Sequence, residues 1–251
     1  MEPIKKGIPS FITSIGLISG CISIVVSISY KDLTLAGYFI LIAALLDFAD
    51  GFAARMLNRI TEFGKQLDSL SDVISFGVAP AMILFRLMEL SFVKNAPDAN
   101  FDYMHPEALQ AVILYSTFSV AVFSALRLAK FNLDPEQAKS FRGLAVPANA
   151  LLIAGLGFSA ETDILLPGTE IILSQAFLLI WTIISCYLMV SNIRMFSLKF
   201  STYGFRENSI RYIFLLLAVL LLLIFKWPGL TPVIILYIIL SVINNRFAGM
   251  E

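Results

Sequence analysis

Apolar runs of membrane-spanning length alternate with short polar segments along most of the chain. A bilayer span needs about 20 mainly apolar residues. The pattern predicts helices over residues 11–30, 33–58, 70–92, 109–131, 146–161, 170–192, 210–226 and 230–246. The fifth and the last two are short, and Pro147 and Pro232 stand where their runs begin, as first-turn prolines do. No stretch alternates with the period of two that a half-buried strand requires. The expected fold is all-α: a single polytopic membrane helix bundle over residues 1–251, with about eight transmembrane helices and no internal repeat.

Composition narrows the class further. Of 251 residues, 58% are hydrophobic and 14% charged, where a soluble domain carries roughly 25% charged. The 18 Lys and Arg balance the 18 Asp and Glu, which leaves no basic field to attract nucleic acid. Cys21 and Cys186 lie in apolar runs with no CxxC or histidine company, and read as buried thiols rather than zinc ligands. His105, the single histidine, sits in a polar loop and gives little support to a histidine-based mechanism. Lys5 and Lys6 precede the first apolar run, but no small-residue cleavage site follows, so that run reads as a retained helix.

Charge placement predicts orientation. With a cytoplasmic N-terminus, fourteen of the 18 Lys and Arg fall in inside segments; Lys31, Lys94 and Lys226 fall outside, and Arg86 lies within the third span toward its outer end. That bias fits the positive-inside rule with both termini in the cytoplasm of a cell-membrane protein. Tyr30, Tyr103 and Trp227 sit near span ends as expected of interface anchors.

One segment breaks the apolar pattern. Residues 47–72 read DFADGFAARMLNRITEFGKQLDSLSD and hold four aspartates at the cytoplasmic ends of the second and third predicted helices. Asp47, Asp50 and Ala54 share one helix face, and Asp68 and Asp72 share a face of the next, with the chain reversing near Thr61–Gly64. Two antiparallel helices then present four carboxylates to one pocket. Unpaired, they repel one another. A divalent cation removes the repulsion, and an all-oxygen donor set favours Mg²⁺ or Mn²⁺ over zinc. Salt bridges to Arg55, Arg59 and Lys65 explain one or two acids but not four on two matching faces. A cation transporter is the physical rival, although a carboxylate cluster at one membrane face beside a basic rim suits an anionic phosphate substrate better. Gly51 and Ala54 leave a bare patch on the aspartate helix, which serves either close helix packing or the approach of a flat ligand to the backbone.

These residues carry a resemblance. The spacing Asp47-x2-Asp50-Gly51-x2-Ala54-Arg55-x8-Gly64-x3-Asp68-x3-Asp72 resembles, without a gap, the signature of the CDP-alcohol phosphatidyltransferases. The resemblance implies a membrane enzyme that moves a phosphatidyl group from a CDP-linked lipid to an alcohol and releases CMP, uses Mg²⁺ or Mn²⁺, and forms a homodimer. It assigns Asp47, Asp50 and Asp68 to the metal, Asp72 to the acceptor proton and to possible metal contact, and Gly51, Ala54, Arg55 and Gly64 to the CDP moiety. SDVISFGVAPA, ALRLAKFN at 125–132, FRGLAVPANA at 141–150 and LMVSNIRMFSLKF at 188–200 are similar to the bacterial and archaeal branch that makes phosphatidylserine. The opening IPSFITSIGLISG is similar to that branch's first helix, with Ser10 where Asn is common and with Thr13, a further CDP contact, retained. Val73 after the last aspartate departs from the Lys usual in the glycerophosphate-using branch.

The implied substrates are CDP-diacylglycerol, or an ether-lipid analogue, and L-serine. Acceptors such as glycerol 3-phosphate, inositol phosphate or choline mark the sister enzymes. Serine carries a carboxylate, which the planar fork of arginine binds through both oxygens. Arg127, Arg142 and Arg194, with Asn132 and Asn192 nearby, are the candidates. Each serves equally as a topology determinant or a lipid-headgroup contact; Lys199 and Arg206 are weaker candidates.

Overall fold

The computed structural model describes residues 2–57, 61–95, 107–133, 142–161, 169–196, 204 and 208–248. Tyr103, His105, Arg59, Lys139, Lys199 and Arg206 lie outside the described residues. Among the described residues every regular element is helical. α1 (Glu2–Val25) continues through a π-helical turn (Val26–Tyr30), and the chain reverses at Lys31 and Asp32 into α2 (Leu33–Met56). α3 (Glu62–Asp72), a π-helical stretch (Val73–Val78) and α4 (Ala79–Asn95) form one continuous rod. A 3-10 turn (Ser116–Phe118) joins α5 (Ala108–Tyr115) to α6 (Ser119–Leu133) in the same way. α7 (Val146–Glu161), α8 (Thr169–Ile172), α9 (Gln175–Val190) and α10 (Ser209–Phe225) follow, and a 3-10 turn (Trp227–Gly229) leads into α11 (Leu230–Ala248).

This is the expected all-α bundle, and the protein is a multi-pass membrane protein. Among the described residues, five helices are long and apolar enough to cross a bilayer: Pro9–Tyr30, Leu33–Met56, Glu62–Lys94, Ala108–Leu133 and Trp227–Asn245. Val146–Glu161, Gln175–Val190 and Ser209–Phe225 are apolar but shorter. α7 occupies the centre, buried along almost its whole length and packed against α2, α4 and α11. A helix that meets mostly other helices does not have to match the lipid thickness by itself. The outer helices turn large side chains outward; α10, for example, exposes Leu216, Leu223 and Ile224. In water such a surface would be a liability, but facing acyl chains it is the expected one.

Three boundaries differ from the apolar pattern. The rod carrying Asp68 begins at Glu62, not at residue 70, because Thr61 caps it: its hydroxyl accepts the Gly64 N–H at 3.0 Å. The run 170–192 is two helices, broken where Ser174 turns extended ahead of α9. The π-helical stretch after Asp72 has its cause in Pro80, which lacks an N–H and whose ring displaces the carbonyl four residues back. One residue also departs from expectation: Cys21 is exposed on the outer face of α1, whereas Cys186 is buried as expected. The hydrophobic run placed Cys21 in a helix but did not say which side of that helix meets the bundle.

The start of α2 shows how tertiary contacts hold a helix end. Its first N–H groups have no partner inside the helix. Glu161, at the C-terminus of α7, accepts the Leu33 N–H at 2.6 Å and the Thr34 N–H at 2.7 Å. Asp32 accepts the Leu35 N–H at 2.6 Å. Glu161→Ala frees two of these donors and is expected to cost about 1–2 kcal/mol, the scale of a lost cap. A lowered unfolding midpoint of the purified protein in detergent, with Glu161→Gln intermediate, checks this.

Candidate active site

α1, α2 and α3 meet at one end of the bundle, and the four aspartates converge there. Ligand oxygens of Asp47, Asp50 and Asp68 all lie within 4.8 Å of one another, with Asp50 buried and the other two half-buried. Ionised carboxylates at that range repel one another unless a proton or a cation offsets them. Asp72 stands outside this group of three. It shares with them a small cavity of about 10 Å³, walled also by Thr13, Ser71 and Ser75. Space of that order holds about one water-sized occupant.

α1 contributes more than a wall. The Thr13 hydroxyl has one proton and two acceptors in reach: the Asp50 carboxylate at 2.5 Å and the Pro9 carbonyl at 3.0 Å. The nearer, charged acceptor makes the stronger bond, so Thr13 orients Asp50. Ser71 donates to the Thr13 carbonyl at 3.4 Å and Ser75 to the Gly16 carbonyl at 3.2 Å, which sets α1 in register beside the rod that carries Asp68 and Asp72.

A second, larger cavity of about 170 Å³ adjoins the first. Ser10, Thr13, Gly51, Ala54, Gly64 and Lys65 contribute to its lining, as do Asp50 and Asp68. Those two aspartates therefore belong to both cavities. The two uses of the bare patch on α2 are now separable at Gly51. A Cβ there would meet only the Arg55 guanidinium, at 3.6 Å, and no neighbouring helix. Gly51 faces space, not a close-packed partner. Arg55 itself is exposed one turn on and does not line either cavity as described.

Among the described residues, neither Arg55 nor Lys65 forms an ion pair with a motif aspartate; Arg59, the third candidate counter-charge, lies outside the described residues. All three carboxylates of the close group are hard oxygen donors, and the donor set fits Mg²⁺ or Mn²⁺.

The four candidates for acceptor contact separate. Arg127 on α6 is 8% exposed. Its Nε has no hydrogen-bond partner among the described residues. Asn132 braces the aspartate helix instead, donating to the Ser69 hydroxyl at 2.8 Å. Arg142 and Arg194 are exposed and lie side by side on a short antiparallel bridge. The Gly143 N–H donates to the Ile193 carbonyl at 2.8 Å there, with Gly143 at φ +74, where a side chain is strained. Neither arginine lines the aspartate cavities. Asn192 is exposed on the same loop.

Sequence reasoning left out Ser71, Ser75 and Tyr237, and took Thr61 only as part of the reversal and Lys65 only as a counter-charge, whereas Thr61 caps α3 and both line the larger cavity. The Thr61-x-x-Gly64 spacing ahead of a helix carried a capping signal for Thr61. Ser71 and Ser75 fall one and two turns from the aspartates, on the helix side that meets α1. Tyr237 had no local signal, because its hydroxyl donates to the Phe196 carbonyl at 2.9 Å from a helix 41 residues further along the chain.

Residues 6–186 match the family described as CDP-alcohol phosphatidyltransferase. The chain is 32% identical over 164 residues to a CDP-diacylglycerol–serine O-phosphatidyltransferase of Bacillus subtilis, covering 64% of this chain and 81% of the relative. It is 29% identical over 243 residues to the Helicobacter pylori protein of that name, covering 95% of this chain and 91% of the relative. An archaetidylserine synthase of Methanothermobacter thermautotrophicus is 34% identical over 159 residues, 61% of this chain and 60% of that one.

The open space at Gly51 has a direct consequence for stability. Alanine is favoured over glycine inside a helix by about 1 kcal/mol, and the added methyl makes only an ordinary contact with Arg55. Gly51→Ala is therefore expected to leave the unfolding midpoint unchanged or raised. A fall would reveal a packing role for the glycine.

Proposed function

We propose that this chain, which belongs to the CDP-alcohol phosphatidyltransferase family, transfers a phosphatidyl group from CDP-diacylglycerol, or its ether-lipid analogue, to the hydroxyl of L-serine, forming phosphatidylserine and CMP. The observation that carries the reading is the pair of adjoining cavities with Asp50 and Asp68 in their common wall. The names of relatives spanning most of both chains point to serine as the acceptor.

Asp47, Asp50 and Asp68 are the residues that would hold a Mg²⁺ or Mn²⁺ ion. That ion supplies charge neutralisation for the diphosphate and for the CMP that departs. The chain's own part is positioning, which carries most phosphoryl transfers. Thr13 keeps Asp50 turned toward the shared wall. Gly51, Ala54 and Gly64 leave the larger cavity bare enough for the nucleotide, and Lys65 offers a positive charge at its rim. Asp72 takes the proton of the serine hydroxyl as its oxygen bonds to the phosphatidyl phosphorus; the bond from phosphorus to the CMP oxygen breaks, and CMP leaves with that electron pair. Arg127, buried on the same α6 whose Asn132 bonds Ser69 of the aspartate helix, offers a positive charge on the side of α3 that carries Asp72. It is also the best placed of the arginines to meet the serine carboxylate.

The excess of Lys and Arg at this end of the bundle supports placing the site and both termini on the cytoplasmic side of the cell membrane, where serine is dissolved. The homodimer implied by the family resemblance belongs to the same reading.

Purified protein with Mn²⁺ and CDP-diacylglycerol is expected to release CMP when serine is added. Release only with glycerol 3-phosphate, inositol phosphate or choline would assign a sister reaction. Metal-dependent ion flux in vesicles, without CMP release from any alcohol, would assign transport instead. Within the serine reading, Asp72→Asn is expected to slow CMP release by about 10²–10⁴-fold, the range of general-base catalysis, while Mn²⁺ binding read by electron paramagnetic resonance persists. An equal loss of Mn²⁺ binding would make Asp72 a ligand first.

A further inference from the structure

Two arginines at the aspartate end of the bundle are held with more precision than orientation in a membrane requires. Glu161, the last residue of α7, caps the start of α2, while Asp47 and Asp50 stand near the other end of α2. The start of α7 therefore lies at the aspartate end. Arg142 stands just ahead of it, and pairs in an antiparallel bridge with Arg194, just past the end of α9.

The backbone under this pair is fixed on both sides. The Gly143 N–H donates to the Ile193 carbonyl at 2.8 Å and the Leu144 N–H to the Leu188 carbonyl at 2.9 Å. Leu144 and Met195, each next to the bridge, are buried. α11 braces the second segment: Asn245 Nδ2 donates to the Arg194 carbonyl at 2.6 Å, and the Tyr237 hydroxyl to the Phe196 carbonyl at 2.9 Å. The two arginines themselves are exposed.

Their charges are not offset by the chain. Residues directly opposed on an antiparallel pair hold their Cβ atoms about 5 Å apart, and like charges there repel. Neither Arg142 nor Arg194 forms an ion pair among the described residues. Residues 142–160, 175–196 and 230–248, which build this corner, contain no Asp or Glu. The positive-inside tendency asks for Lys or Arg near a span end, not for two of them opposed on a rigid bridge. An oxyanion between them relieves the repulsion, and the guanidinium fork matches phosphate through paired N–H donors.

The surroundings indicate what carries that phosphate. Phe196, two residues past Arg194, packs against Phe214 of α10 and Tyr237 of α11, with ring centroids 5.9 Å and 4.9 Å away. Ile213, Leu216 and Leu217, within one turn of Phe214, face outward. Cations edged by an outward apolar surface suit a phosphate that bears acyl chains. With no carboxylate at hand to take an ammonium, the corner favours a headgroup of net negative charge.

We propose that Arg142 and Arg194 together hold the phosphate of an anionic phospholipid at the membrane surface, its acyl chains against the outer face of α10. The site is apart from the two aspartate cavities, which neither arginine lines. Its signature is lipid retention and not turnover, so it does not depend on which alcohol the enzyme uses.

Native mass spectrometry of the full-length protein in detergent tests it, with short-chain phosphatidylglycerol, short-chain phosphatidylcholine and inorganic phosphate as probes. The wild type is expected to retain phosphatidylglycerol in preference to phosphatidylcholine. Arg142→Gln and Arg194→Gln are each expected to weaken that retention about tenfold, the scale of one charge-assisted hydrogen bond. Arg142→Lys and Arg194→Lys, which keep the charge and lose the fork, are expected to fall between. The unfolding midpoint of either Gln variant is expected to hold or rise, since one of two repelling charges is gone; this separates lost binding from lost folding. Equal retention of phosphatidylglycerol by wild type and both Gln variants would overturn the proposal. So would equal retention of the two lipids by the wild type, or displacement of the lipid by inorganic phosphate at equal concentration, which marks a simple anion site. A raised KM for serine in the Gln variants with lipid retention intact would place the arginines at the acceptor instead.

Discussion

Mutual repulsion among carboxylates is the constraint around which this bundle is organised. Asp47, Asp50 and Asp68 bring their oxygens within 4.8 Å of one another, and Asp72 shares their cavity. Negative charges at such range in a helix bundle are tolerated only where protons, cations or hydrogen bonds offset them. Thr13 supplies the hydrogen bond to Asp50. Among the described residues no motif aspartate is paired with Arg55 or Lys65, so neither of these cations offsets the repulsion. A site that is electrostatically incomplete without a cation, beside a cavity shaped by glycine and alanine, suits a substrate whose own charge is a diphosphate.

The remaining architecture holds those helices in register against that repulsion. α1 is joined to the aspartate rod by hydroxyl-to-carbonyl bonds from Ser71 and Ser75 and to α2 by bonds from Ser19 to the Phe39 carbonyl and Ser23 to the Ala36 carbonyl. In an apolar bundle small hydroxyl residues serve as such links, because they bond across a close helix contact without needing space of their own. At the far end, Glu161 ties α7 to the start of α2, and Tyr38, Phe158 and Trp227 pack ring to ring, with the Tyr38 and Trp227 centroids 5.4 Å apart. The site is thus fixed from both ends of the helices that carry it.

The same geometry gives the bundle two chemically distinct ends. One gathers acids and opens on a cavity lined by small residues. The other keeps Arg86, Glu89 and Lys31 around a cavity with an apolar flank.

Much of this was legible without coordinates. Apolar runs divided by polar turns are legible along the chain, so the all-α class and the approximate number of helices followed from their pattern. Helical periodicity put Asp47 with Asp50 and Asp68 with Asp72, since side chains three or four apart share a face whatever the rest of the chain does. Pairwise contacts between distant segments were not legible. That Arg142 and Arg194 are neighbours, that Tyr237 bonds the Phe196 carbonyl, that Thr13 bonds Asp50, that Gly51 faces space while Cys21 faces outward: each depends on how one segment is set against another. Apolar surface is nearly uniform around many of these helices, so hydropathy carries little information about that rotation. The sequence determined which segments cross the membrane and which acids share a helix face, because local geometry and desolvation decide both. Only the tertiary structure decided which faces meet, because helix rotation is set by packing and by side-chain hydrogen bonds between segments far apart in the chain.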